Sequence, residues 1–304
     1  MINYQYKSSR QKNTKMAISV VLGFAFTVAS TSFNSGREWV NLLDKDLSQW
    51  ETYLSYPHKE TYNGEIPKDD KGEIIQPIGH NKNENNVFSV IEENGKPVLK
   101  VTGEIYGCVF TKQEFENYHL KLKMKWGTKK WTPRTQKLRD SGICYHSIGE
   151  CGKDYWRAWM LSQEFQIMEG HMGDYWNIAN SAIDVKAFIP EGSMNTVAGN
   201  DQPFLSIGTA TGLQGFCLRT VNAESPKDKW TEIELICFGG KSLHVVNGKV
   251  VMVLANSRYR DGDKDIPLTK GRIQLQSEGA EVFYTDIQIK SIDRLPAKYD
   301  LYFK

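Results

Sequence analysis

The stretch "HLKLKMKW", His119–Trp126, alternates without a break. Leu120, Leu122, Met124 and Trp126 fall on one side of an extended chain. His119, Lys121, Lys123 and Lys125 fall on the other. A period of two marks a strand with one face buried and one in water. The same grammar recurs on both sides of it. "VFSVIEENGKPVLKV" (87–101) reads as a hairpin through Asn94-Gly95, and "SLHVVNGKVVMVL" (242–254) as a hairpin through Asn247-Gly248. "RIQLQSEGAEVFYTDIQIKSI" (272–292) turns back at Glu278-Gly279. "SGICYH" (141–146), "WMLSQEFQIM" (159–168) and "WTEIELICF" (230–238) are further strands. Many short strands with few helical periods argue for an all-β sandwich or barrel.

Two segments interrupt this rhythm. Residues 53–86 are polar and rich in Gly, Pro, Asp, Lys and Asn, and residues 189–203 are similar. Long excursions in a compact domain are more often functional than incidental.

Composition narrows the class. The 304 residues carry a net charge of +2, with Lys7, Arg10, Lys12 and Lys15 concentrated at the start. No basic patch suggests a nucleic-acid partner. The apolar run Ala17–Ala29, followed by small residues at Ala29, Ser30 and Ser32, reads as an export signal over residues 1–32, with Met16 an alternative start. The run is shorter than the ~20 residues of a membrane span, so cleavage is favoured over an anchor. The expected organisation is a signal segment, one domain over residues 37–295, and a tail over 296–304. The expected location is periplasmic or extracellular. Cys108, Cys144, Cys217 and Cys237 lie in strand-like runs, where buried free thiols are the default. Export permits a disulfide among these and Cys151, but the spacing names no pair. A P-loop, a dinucleotide fingerprint and a serine-nucleophile motif are absent, so no nucleotide cofactor is expected.

Several phrases then line up in order. "WVNLLDKDLSQW" (39–50) resembles an opening of the form LFNGKDLSGW, with Asp44 in place of Asn and Gln49 in place of Gly. "DSGICYH" (140–146) resembles NSGIFxR, with Asp140 for Asn and His146 for Arg. "SQEFQIMEG" followed by "GDYW" resembles an ExQIxD…GDLY segment, and "HVVNGKVV" an HWLNGxxV phrase. "GRIQLQSEGAEVF" resembles GxIGLQxHGxxV. These motifs, from Trp39 to Ile292, resemble the 3-keto-disaccharide hydrolase family, also called domain of unknown function 1080, of the concanavalin-like lectin and glucanase superfamily. The resemblance implies a jelly-roll sandwich of two antiparallel sheets and a sugar substrate carrying a ketone at C3.

Alternation then sorts candidate site residues. In "QEFQIME", Phe165 and Ile167 enter the core, so Glu164 and Gln166 face a groove. If Ile143 is core, His146 joins Glu164 on that face. The loop "EGHMGDYW" adds His171, Asp174 and Trp176. Trp156 and Trp176 are candidate platforms for a sugar ring, while Trp126 and Trp159 read as core. His119 is expected on the exposed lysine face and His244 on the sheet surface.

A C3 ketone acidifies the C2 proton, so a base can remove it and the C1 oxygen can leave. His146 or His171 suits the base; Glu164 could orient it, bind sugar hydroxyls or join a His/Glu/His/Asp set around one divalent ion. Ordinary hydrolysis needs two opposed carboxylates. The alternate position after Glu164 is Gln166, which disfavours that reading unless another strand supplies the acid. A noncatalytic carbohydrate-binding sandwich is the remaining alternative.

Overall fold

The computed structural model describes residues 38–304 apart from 62 and 154–157. The segment expected to be an export signal and Trp156 therefore lie outside the described residues. Among the described residues, no helix is long and apolar enough to cross a membrane.

The alternating stretch lies in the strand Tyr118–Lys130, at the middle of the first sheet. Thr231–Phe238 pairs with one edge of it and Ala280–Ser291 with the other, both antiparallel. Leu120, Leu122, Met124 and Trp126 are buried, as the period predicts. The sheet extends through Lys241–Val246, Lys249–Asp261 and Ser181–Phe188 on one side. On the other it extends through the Asn94-Gly95 hairpin. The hairpins at Asn94-Gly95 and Asn247-Gly248 form where the sequence places them. The chain also turns at Glu278-Gly279, but Arg272–Ser277 and Ala280–Ser291 pair into different sheets, so that turn is a crossing between the layers and not the expected hairpin.

The second sheet runs in the order Gly79–His80, Trp50–Leu54, Gly107–Thr111, Arg272–Ser277, Asp140–Ile148, Leu161–Met168, Tyr175–Ile178. Phe216–Leu218 and Thr196–Ala198 continue it, their mutual pairing being parallel. Ser181–Phe188 pairs with strands of both sheets and so joins their ends. The result is an all-β sandwich. Thr196–Ala198 lies inside the segment 189–203, so that excursion is partly a strand.

Between the sheets, Phe165 packs on His244 with ring centroids 4.3 Å apart. The Tyr284 and Ser141 hydroxyls pair at 2.8 Å, and Tyr145 reaches Ser242 at 3.1 Å. His244 is thus a core residue rather than a surface one. Its Nδ1 donates to the Gly173 carbonyl at 3.0 Å, and burial depresses its pKa to about 3. His119 also departs from expectation. It is buried on the lysine face, hydrogen-bonded to Glu234 at 2.6 Å beside the Trp39 ring.

That outer face is not wholly in water. Ile236, Leu243, Val245 and Val253 form an apolar patch there, covered by Leu295 and Tyr299 of the C-terminal segment. The tail therefore closes a secondary core. Tyr299→Ala is expected to cost about 2–4 kcal/mol in urea unfolding, as aromatic truncation at a buried site does. Leu301→Ala, at a position 62 % exposed, should stay within about 0.5 kcal/mol.

Candidate functional site

The second sheet turns its outer face to the excursions. Direct cross-strand pairing keeps partners on one face. It sets up a row of side chains across the strands: Phe110 opposite Gln274, Gln274 opposite Cys144, Cys144 opposite Glu164, and Glu164 opposite Trp176. Phe216 ends the row against Trp176, their rings 4.5 Å apart. Gln276 and Gln166 lie on the same face one step along, with Gly142 opposite Gln166.

Gly142 makes this arrangement possible. A Cβ there would lie 2.1 Å from Glu164 Oε1 and 2.5 Å from Gln276 Oε1. The missing side chain is the space in which the carboxyl and the amide meet.

Three further groups complete the floor. Arg134 is ion-paired with both Asp140 and Glu278, at 3.1 Å for Glu278. Tyr106 lies beside them, its ring stacked near Trp159 at 6.4 Å and edge-on to His58 at 4.4 Å. The long excursion is fastened here, because the Thr132 hydroxyl donates to Glu60 at 2.7 Å. From the other side the connection after Ile148 brings Cys151, Ala158, Trp159 and Met160 down onto Tyr53, Cys108, Phe110 and Cys144. Trp159 is buried as expected, but against this outer face.

The electrostatics follow from burial. Glu164 is 4 % exposed. Burial first, then the like charges of Glu278 and Asp140, push its pKa well above the usual carboxylate range, against the opposing hydrogen bond from Gln276 and the Arg134 charge. Asp140 is raised in the same way, with burial and Glu278 opposed by Arg134. Gln274 Nε2, Gln166 Oε1 and Gln276 Oε1 are buried without a hydrogen-bond partner among the described residues. Unused donors and acceptors beside a protonatable carboxyl suit a hydroxyl-rich ligand.

Other expected members are placed elsewhere. His146 does not share the face of Glu164. The ladder slips by a bulge between Tyr145 and Ile148, and His146 takes φ +52°. The bulge inverts the parity and turns the ring inward against Tyr118 and Tyr145. Burial lowers its pKa to about 4, with the Leu268 and Glu116 backbone as polar neighbours.

His171 pairs with Asp174 at 2.9 Å, and Asp174 accepts from the Arg219 side chain at 3.0 Å and its backbone N–H at 2.8 Å. Asp174 is buried in this ion-paired knot rather than displayed at a rim. No hydrogen bond or ion pair among the described residues links the knot to Glu164. The fold thus does not gather His146, Glu164, His171 and Asp174 into one ligand set. Among the described residues no group of three or more His, Cys, Asp or Glu is disposed to hold a metal ion.

Trp176 is where a platform should be: beside Glu164 and 41 % exposed. Asp140, Glu278 and Arg134 were not anticipated as a cluster. The available signal was the pair of departures from the family phrases, Asp140 for Asn and Glu278 for His.

Comparison with curated proteins returned no match. Among solved structures, a candidate glycosyl hydrolase of Parabacteroides distasonis ATCC 8503 is 18 % identical, covering 84 % of this chain and 100 % of that one at a TM-score of 0.44. A second from the same organism is 15 % identical, with 84 % and 94 % covered at 0.44. The carbohydrate binding module CBM66 from Bacillus subtilis is 6 % identical, with 67 % and 92 % covered at 0.37. The model of the 3-keto-alpha-glucoside-1,2-lyase-like domain matches residues 38–290. That match spans nearly all of the sandwich, and the chain belongs to the 3-keto-alpha-glucoside-1,2-lyase-like family.

Proposed function

We propose that this protein is exported and cleaves 3-keto-glycosides, with Glu164 as the base and proton carrier. The family supports a carbohydrate-active, glycosyl-hydrolase-like protein. The observation that carries the finer reading is the buried Glu164 carboxyl, lodged against Gly142 and Gln276 in a row that ends in the exposed Trp176.

In this reading Trp176 stacks on the apolar face of a sugar ring. Glu164 takes the C2 proton, which the C3 ketone has made acidic. The electron pair left at C2 forms the C1–C2 double bond as the C1–O bond breaks, and the departing oxygen takes a proton. Water adding at C1 completes a net hydrolysis. A base whose pKa is raised toward neutrality is matched to a carbon acid better than an ordinary carboxylate. The Gln274 Nε2 group, buried and without a partner among the described residues while its Oε1 accepts from the Met160 N–H, is a donor for the oxygen on which charge develops.

A second reading has its own support. Asp140, at the start of a neighbouring strand, and Glu278, in the turn after Arg272–Ser277, come to the surroundings of Glu164, supplying the acids that Gln166 does not. Ordinary two-carboxylate hydrolysis needs such a partner.

Incubation with a 3-keto-glucoside and with its unoxidised parent, with and without chelator, separates the readings. Turnover of the keto form alone is expected. Cleavage of the parent would favour paired-carboxylate hydrolysis, and binding of glycans with neither cleaved would leave a binding module. Glu164→Gln should lower the rate at least ~10²-fold, whereas His146→Ala should alter stability and leave the chemical step of the folded enzyme intact.

The same substitution has a stability signature. A carboxyl whose folded pKa is raised favours folding below its unfolded pKa and loses that contribution as pH rises through the folded value. Glu164→Gln removes this loss. The melting temperature of the variant relative to the parent protein should therefore climb as pH is raised above about 4.3; a difference that stays flat with pH would show that Glu164 carries no raised pKa.

A further inference from the structure

Two cysteines meet where the connection after Ile148 lies on the second sheet. Cys108 and Cys151 stand 43 positions apart in the chain, yet their Sγ atoms are 3.8 Å apart. Both are buried within the same apolar cluster, with Ala158 and Trp159 packed around them. The remaining three have different neighbours. Cys144 receives the Gln276 amide at 3.3 Å, Cys217 turns to the Leu218 carbonyl, and Cys237 lies beside Tyr118.

We propose that Cys108 and Cys151 form a disulfide that fastens the turn at Cys151 to the sheet face beside Glu164. The sulfurs must close from 3.8 Å to the ~2.05 Å of an S–S bond. Cys108 is held in the paired strand Gly107–Thr111, so it is the fixed partner. Cys151 sits in a turn outside the ladder, which can absorb the movement.

The reaction is thiol–disulfide exchange. Each thiol gives up its proton, the pair gives up two electrons, and a small-molecule or protein disulfide is reduced to two thiols. An oxidising compartment, to which the leader read at the N terminus would deliver the chain, supplies such donors. Burial first, then the neighbouring Cys151, raises the Cys108 pKa. A buried thiol is a poor nucleophile, so the bond forms while the chain folds and afterwards resists reduction. It ties a strand on the floor of the candidate site to the connection that closes one end of it, and it does not depend on which reaction the site performs.

The test is to unfold and reduce the full chain, refold it in a mixed oxidised and reduced glutathione buffer, and map its peptides without reduction. Three free thiols and one cross-linked peptide pair joining Cys108 to Cys151 are expected. Strong reductant should then lower the melting temperature by about 5–10 °C. Cys151→Ser should show four free thiols, no cross-link and no response to reductant. Refolded protein with five free thiols, or with Cys108 joined to Cys144, would overturn the assignment.

Discussion

The site depends on the parity of two adjacent strands. Asp140–Ile148 and Leu161–Met168 are paired so that Cys144 stands opposite Glu164 and Ile143 opposite Phe165. Because side chains alternate, the apolar demand of the core fixes which residues must point away from it. Phe165 and Ile167 cannot leave the sandwich without exposing their bulk, so Glu164 and Gln166 cannot enter it. A slip of one residue would bury the carboxyl against His244 and expose Phe165. The hydrophobic effect thus aims the polar groups of the site without touching them.

Burial then sets the chemistry. Asp140, Glu164 and Glu278 converge on a region where, among the described residues, Arg134 is the compensating cation. Arg134 spans Asp140 and Glu278, which leaves Glu164 with the amide of Gln276 and the opening made by Gly142. A carboxyl in that position holds its proton to a higher pH than one in water, since no neighbour stabilises its charge fully. Glu164 costs stability here, because among the described residues its carboxyl is buried with an amide rather than an ion-pair partner. Such a cost is expected where a group has a task that a stable core does not need.

Much of this was legible in the chain and some was not, for physical reasons. Regular alternation carried the strands, and the two Asn-Gly turns carried their hairpins; the Glu278-Gly279 turn has the same local signature but passes from one sheet to the other. Alternation also put Glu164 and Gln166 on one face, because their strand is regular through those positions; Trp176, read as part of a loop, instead lies in the strand Tyr175–Ile178 opposite Glu164. The same counting failed at His146, where a bulge adds a residue and reverses the parity beyond it. It failed differently at His119 and His244. A polar residue on an apolar face, or one covered by a later segment, has the same sequence pattern as an exposed one. Asp140, Glu278 and Arg134 lie at a strand start, in a turn and in a loop, so periodicity says nothing of their meeting. Sequence patterns resolve neighbours along one strand; the site is assembled from neighbours across several.

The covering segments explain why a sheet face can serve as a site at all. An open face bearing Cys108, Phe110, Cys144 and Tyr53 would be an apolar patch in water, which soluble chains avoid. The connection after Ile148 covers part of it through Trp159 and Met160. The excursion covers more through His58 on Tyr106 and Glu60 on Thr132. Among the described residues, Trp176 at the end of the row stays 41 % exposed, with the buried Glu164 opposite it. The loops and the sheet therefore form two walls of contacts that remove apolar surface from water and keep Glu164 buried, which holds its pKa up. Loosening either wall would admit water to Glu164 and return it toward an ordinary acid, so the packing of the loops and the chemistry of the carboxyl are one constraint rather than two.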